Sequence, residues 1–376
     1  MKKLNQFLAV FLTLGFLFPA APALAGKAYT QAELNKLWHQ TGKKERKLVT
    51  SNSTHFWAWA KNEAEGYVGD YLAPEGVVIG DPHPRNVFDY RNGGKAKLAV
   101  ADIDDGGQAP LFLDIVRLIV YTETLDMKIK ISEIFDAYVD GLRGSKTEEP
   151  DAMADARAES QRDIEAGHAK YIDKHTTQKG KLDLEELNLT GQDDFSAAQK
   201  KALASLSKIA LQRTGLAEVV DAGFKVNDSG SSLGMDRYWL LLGKNGEGKL
   251  LLEFKELGRS AVSYYQRQAG TEARVKEVLD VYSDDGLNDE KFGVVAAAGK
   301  EFWMRPRHYQ ALDLDDEDLS SKDQKEFAEY TANWIGLSQR SQVDGKKLLK
   351  LIEKDRKTAK DALEEMVRAY LEEIRN

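Results

Sequence analysis

The stretch VVIGDPHPRNVFDY, residues 77–90, decides how the rest of the chain is read. Val77, Val78 and Ile79 are a β-branched run that ends at Gly80, a strand signal followed by a residue that tolerates a sharp turn. Asp81, His83 and Asn86 then fall within six residues, around Pro82 and Pro84. A plain connection is built from turn formers. An acid, an imidazole and an amide between two strand-like runs point instead to a loop that holds a ligand. Residues 87–90 and 97–101 are strand-like, and Arg91, Asn92, Gly93, Gly94 and Lys95 between them make a hairpin turn, because Asn and Gly accept positive φ. Pairing about that turn sets Asn86 roughly opposite Asp102, beside the loop that carries Asp81. An amide oxygen and a carboxylate are hard ligands of the kind Mg²⁺ takes, the ion completing its shell with water and phosphate oxygens. Asp81 lies where it would accept a proton from an attacking hydroxyl.

The whole chain bounds this reading. Its 376 residues suit two lobes sharing a cleft, and 42% hydrophobic residues supply a sizeable core. The formal net charge is -8, and loss of Lys2 and Lys3 with a leader would make it -10. A net acidic chain is a poor general nucleic-acid binder, since phosphate neutralisation needs clustered Lys and Arg. Residues 1–25 read as a cleavable signal peptide: a positive start, an apolar run over 8–18 and Ala23-Leu24-Ala25 as the cleavage site. A periplasmic or secreted protein is expected, with no membrane span in the mature chain. There is no cysteine, so stability rests on the core and not on disulfides.

Along the chain, residues 31–65 read as largely helical with a break at 49–54. Phe56, Trp57 and Trp59 read as core. Residues 111–143 are amphipathic helix, and 146–217 are charged and mostly helical, with loops at 174–181 and 191–192. Residues 224–256 are three strands with two Gly-containing turns, 260–282 a helix, and 292–307 include a further strand. The tail from 321 onward is helical, with apolar residues at helical spacing beside Lys and Glu.

Asp81, Pro82, His83, Pro84, Arg85 and Asn86 resemble the catalytic loop of protein kinases and aminoglycoside-phosphotransferase-type kinases. Gly80 through Asn86 matches the phosphotransferase form Gly-Asp-x-His-Pro-x-Asn. Asp102, in the Asp102-Ile103-Asp104-Asp105 run, falls where that superfamily has its metal-binding Asp. Pro110 and Asp114 look like the Pro-x-x-x-Asp segment that follows, with Gln108 where a Gly is usual. The resemblance implies Asp81 as catalytic base with His83 in the same loop, Asn86 and Asp102 as metal ligands, and Asp114 as a brace. Taken singly, Asp81 could cap a turn, His83 could be a core histidine and the acidic run a solvated turn. The ordered set is what argues for chemistry.

A kinase also needs a loop over the phosphates and a lysine. Residues 224–226, a Ser229-Gly230-Ser231-Ser232-Leu233-Gly234 loop, residues 237–242, a turn, and 249–255 ending in Lys255 follow the small-lobe layout. By that resemblance Gly230, Ser231, Ser232 and Gly234 cover the phosphates of ATP or another nucleotide. Lys255 reaches them, and Glu277 pairs with Lys255, with Glu272 as second choice. The catalytic motifs precede the small lobe here. That order resembles a bacterial domain-of-unknown-function family with a circularly permuted, kinase-like fold, over residues 56 to 307. The expected fold is therefore α+β, bilobal and protein-kinase-like, circularly permuted. Its parts are a leader (1–25), a helical catalytic lobe (26–217), a small β-rich nucleotide lobe (218–310) and C-terminal helices completing the large lobe (311–376). The expected activity is ATP- and Mg²⁺-dependent transfer to an unknown hydroxyl acceptor. The alternatives are a degenerate kinase-fold binding or scaffold protein, or a metal-dependent phosphoesterase.

Overall fold

The computed structural model describes residues 49, 53–92, 95–100, 102–125, 129–162, 164–228, 232–283, 289–307 and 319–375. The leader, and Gly230 and Ser231 of the glycine–serine loop, lie outside the described residues.

Mixed helix and sheet divide into a helical body and an antiparallel sheet. The body begins with α1 (Ser53–Val68), whose Phe56 and Trp57 are fully buried, as core residues should be. Strand β1 (Glu75–Val78) pairs with β4 (Gly107–Pro110), Val78 opposite Gly107. Between them lies the hairpin of β2 (Val87–Asn92) and β3 (Lys95–Val100), in register Val87 to Val100 and Asn92 to Lys95. Each strand thus takes in residues that its apolar pattern left to the turn, Arg91 and Asn92 on β2 and Lys95 on β3.

Helix α2 (Phe112–Glu123) is buried at every position from Phe112 to Thr122. Its sequence FLDIVRLIVYT explains why: apart from Asp114, Arg117 and Thr122 it is apolar on every side, so it sits inside the body. α3 (Ile131–Arg143) and α8 (Ser321–Arg340) cross closely. A Cβ on Gly141 would lie 2.1 Å from the Asn333 carbonyl oxygen, and one on Gly336 would lie 2.2 Å from that of Tyr138, so two glycines permit the approach. The remaining tail helices, α9 (Val343–Lys354) and α10 (Arg356–Arg375), close the same core.

After α4 (Asp151–Arg162) and α5 (Ile164–Lys174) comes a six-stranded antiparallel sheet of order β5-β6-β7-β8-β10-β9. Its strands are β5 (Thr190–Gly191), β6 (Glu218–Val226), β7 (Asp236–Lys244), β8 (Glu247–Glu256), β9 (Gly293–Ala297) and β10 (Lys300–Pro306). Both faces of β7 are covered along Tyr238 to Leu242. Tyr238, Leu240 and Leu242 of β7 pack toward α6 (Ala197–Thr214), whereas Trp239 and Leu241 pack with Leu182, Leu187 and Leu189. Side chains alternate along a strand, so a strand with both faces covered reads as an unbroken apolar run. The expected lobe boundary at 217/218 falls between α6 and β6. Yet α6 buries Ala202, Leu206 and Ala210 against the sheet, and β5 pairs with β6. The sheet therefore recruits chain from before that boundary. Residues 260–282 are not one helix. A 3-10 turn (Ala261–Tyr264) precedes α7 (Thr271–Tyr282).

Candidate functional site

The loop after β1 is built around Gly80. Its φ is +85°, and a Cβ there would lie 2.2 Å from the Asp105 carbonyl oxygen. Only glycine combines that dihedral with so close an approach. Trp57 Nε1–H donates to the Gly80 carbonyl at 2.6 Å from behind. Asp114, fully buried at the start of α2, accepts from the Ile79 and Gly80 backbone N–H groups at 2.8 and 3.1 Å. Burial pushes Asp114 up to about 7, against the pull of those two N–H donors. Asp114 thus fixes the loop from within the core.

Asp81 is 7% exposed. Arg117 donates to its Oδ1 through Nε at 3.1 Å and through a terminal nitrogen at 2.8 Å. His83 Nε2 lies 3.6 Å from Asp81 Oδ2, and the imidazole stacks on Tyr121 with ring centroids 5.0 Å apart. Burial is the main influence on Asp81 and raises it to about 6, Arg117 opposing and the Asp102 charge assisting. Asn86 Nδ2 donates to the Asp81 carbonyl at 2.6 Å, closing the loop on itself.

Opposite stands Lys255, at the end of β8 and 3% exposed. Its Nζ lies 2.9 Å from Asp102 Oδ1 and 2.5 Å from Asp104 Oδ2. Burial works to lower Lys255, but Asp102 and then Asp104 outweigh it and hold the ammonium above its ordinary value. Asp102 is 41% exposed at its side chain. Burial favours its neutral form, yet Lys255 foremost and Arg305 next hold it well below the usual carboxylate range. Asp105 faces inward, accepting from Ser53 Oγ at 2.6 Å and the Ala261 N–H at 3.2 Å. Burial, then repulsion from Asp81, lifts it to about 7.

The Asp81 loop, the acidic turn and Lys255 therefore meet, although Asp102 and Lys255 are 153 positions apart. Glu277 does not join them. Its Oε2 accepts from Gln108 Nε2 at 3.0 Å, and Lys255 already has two carboxylates. What α7 sends to the acidic turn is Arg274, which donates to the carbonyls of Ile103, Asp104 and Gly106 at 3.3, 2.9 and 2.8 Å. In the glycine–serine loop, buried Ser232 accepts from Asn227 Nδ2 at 2.8 Å and from an Arg237 terminal nitrogen at 3.0 Å. Gly234 adopts φ +74°.

Three features escaped the sequence reading. One is Arg117, and its signal was present: a lone arginine in a largely apolar helix is expected to be buried, and a nearby buried acid is its natural partner. The second is Asp104 on Lys255. The third is Glu253, fully buried and contacted by Arg305 at 2.8 Å, Arg237 at 3.4 Å and Arg307 at 3.6 Å.

As for a metal, among the described residues no group of three or more His, Asp or Glu side chains is arranged to hold an ion by itself. The donors present are the carboxylate of Asp102, the amide oxygen of Asn86 and a buried Asp104 oxygen without a hydrogen-bond partner among the described residues. These hard oxygens fit a hydrated Mg²⁺ that draws its remaining ligands from water and phosphate.

Fold and site together define an α+β protein in which an acid-bearing loop of a helical body meets a cation-lined antiparallel sheet. Residues 124–376 match a family described as uncharacterized protein conserved in bacteria (DUF2252), and the chain belongs to that family. The match starts after Asp114, so the Asp81 loop and the hairpin lie upstream of it, while Lys255 and the whole sheet lie within it. It includes the helical tail, which the resemblance over residues 56 to 307 had left out. No curated protein and no solved structure matches this chain.

Proposed function

We propose that this is an exported, kinase-like phosphotransferase that moves a phosphoryl group from a Mg²⁺-bound nucleotide to a hydroxyl acceptor. The observation that carries the reading is the ion pair of Lys255 with Asp102 and Asp104, which brings the end of the sheet to the acidic turn beside Asp81. The antiparallel run of β6, glycine–serine loop, β7, turn and β8 ending at Lys255 supports it as the layout of a kinase small lobe.

In this reading the acceptor hydroxyl sits at Asp81. Its carboxylate, raised to about 6, is poised to take the proton near neutral pH. Arg117 holds the carboxylate in place from the side away from the cleft. The acceptor oxygen forms a bond to the γ-phosphorus, the bridging P–O bond breaks, and the diphosphate leaves. Asn86 and Asp102 would hold Mg²⁺, which supplies charge neutralisation for the phosphates. Lys255 would release one of its two carboxylates to a phosphate. Positioning and charge supply most of the rate.

A second reading, a kinase-fold protein that binds a phosphorylated ligand without transfer, is favoured by one departure: the helix partner expected for Lys255 is engaged elsewhere. Thermal unfolding with ATP and Mg²⁺ tests the shared part. A metal-dependent rise in Tm, lost in Asp102→Ala, is expected. No rise at millimolar nucleotide overturns the ATP-dependent reading. Transfer lost in Asp81→Asn while the rise persists separates the transferase from the binder.

A further inference from the structure

The Glu253 cluster carries more positive charge than one carboxylate needs. In the ladder, Glu253 on β8 faces Trp239 on β7 and Arg305 on β10, and Arg237 faces Lys255 one step further along. The guanidinium of Arg307 lies over the Trp239 ring at 4.7 Å, and the Lys225 ammonium lies over the same ring at 5.3 Å. Four cations, Lys225, Arg237, Arg305 and Arg307, thus crowd one sheet face. Among the described residues, the carboxylates facing them are Glu253 at the centre, Asp228 beside Lys225, and Asp102 and Asp104 beyond, already bonded to Lys255. Burial would raise Glu253, but Arg305, Arg307 and Arg237 hold it far below the ordinary range, so it stays charged and satisfies one guanidinium's worth of charge. Lys225 is lowered by burial first and then by Arg237, the mark of a cation kept among cations.

Two buried donors on this face also lack partners. The Trp239 indole N–H, in a residue 4% exposed, and the Arg237 Nε–H find no hydrogen-bond acceptor among the described residues. The Arg237, Arg305 and Arg307 side chains keep 18%, 24% and 30% exposure, so the cluster opens to ligand. An apolar base would leave these donors and cations unsatisfied at a cost. An oxyanion with several acceptor oxygens matches them, and guanidinium forks match phosphate.

We infer that the sheet face of Lys225, Arg237, Arg305 and Arg307 around Trp239 is a receptor for a phosphate group of an oligophosphate chain. Strand spacing sets it about 7 Å from Lys255 along β8, so a chain of two or three phosphates spans both. The site stands on the sheet alone and does not require transfer at Asp81.

Calorimetric titration of the protein with inorganic tripolyphosphate, without metal, tests it. Binding is expected, weakened about tenfold or more in Arg307→Gln and less in Arg307→Lys, which keeps the charge but loses the fork. Arg307 is the most exposed of the three arginines, so its variants should fold, and an unchanged circular dichroism spectrum checks that. No binding at millimolar tripolyphosphate, or an affinity indifferent to Arg307→Gln, overturns the proposal. Competition by ATP would identify a nucleotide as the source of the phosphates, and its absence a non-nucleotide oligophosphate. Asp102→Asn separates the two readings. It should abolish the Mg²⁺-nucleotide response yet leave tripolyphosphate binding intact or stronger, because it removes a negative charge that acts on Arg305.

Discussion

The helical body and the six-stranded sheet solve the problem of buried charge in opposite ways. On the helical side, carboxylates outnumber their cations among the described residues: Asp81, Asp105 and Asp114 are buried, and of the three, Arg117 bonds only Asp81, also donating to the Val49 carbonyl. Asp105 and Asp114 are held by hydroxyl and N–H donors, and all three carboxyls are driven toward the neutral form. On the sheet side, cations outnumber carboxylates among the described residues, and Glu253 is locked in its charged form. An acid with too few cations can shed its charge by taking up a proton. An arginine cannot shed its charge at any ordinary pH, so a surplus of arginines must find anions or water. In the proposed function the acid-rich side would take the proton and the arginine-rich side would hold the anion. Lys255 joins them.

The comparison can be broken most forcefully at Arg117. Arg117→Met strips Asp81 of its one cation and should cost about 3–5 kcal/mol at neutral pH, read by denaturant unfolding. The cost should shrink in mild acid, and Asp81→Asn in the same chain should restore much of the loss. If the single variant is nearly neutral at every pH, the pair is not what holds the loop.

A smaller effect is expected at Glu253. Glu253→Gln leaves three partly exposed guanidinium groups that water can reach, so the expected loss is about 1–3 kcal/mol. Added phosphate should recover part of it by replacing the missing negative charge. A loss as large as that of Arg117→Met, untouched by phosphate, would mean that the two sides are alike.

The gentlest test is the pH dependence of Tm. Asp81, Asp105 and Asp114 are raised to about 6, 7 and 7 in the folded chain, so it binds more protons than the unfolded chain between about 4 and 7. Their contribution to stability is full at the acid end of that window and is lost as pH rises through the folded values. His55 acts the other way. Burial first, then Arg117, lowers it to about 4, so its contribution is lost as pH falls below its ordinary value. Three acids outweigh one histidine, and Tm should fall as pH rises from about 5 to about 7. Asp114→Asn should make that slope shallower. A Tm that climbs steadily over this range would contradict the charge states assigned to the acid-rich side.

Much of this architecture was legible because it is local. The hairpin followed from two strand-like runs around Gly93 and Gly94, and the β6–β8 run from apolar residues separated by glycine turns. Phe56 and Trp57 read as core and are core. The charge partners were not legible in the same way. Glu277, on the next helix, is the partner expected for Lys255, but Gln108 on β4 takes it, and the acidic turn takes Lys255. Helix 260–282 failed because a 3-10 turn, with Asp105 accepting from the Ala261 N–H, breaks its start.

By itself, then, the sequence determined most of the elements and which ionisable residues stand at their ends. Gly80, Asp81 and Asn86 sit in one short loop, and Lys255 ends a strand, whatever packs around them. Only the tertiary structure decided which charges meet. Arg117 reaches Asp81 across 36 positions, and Arg237, Glu253 and Arg305 converge through strand register. Electrostatic energy depends on distance and burial in space, and neither is a property of neighbours along the chain.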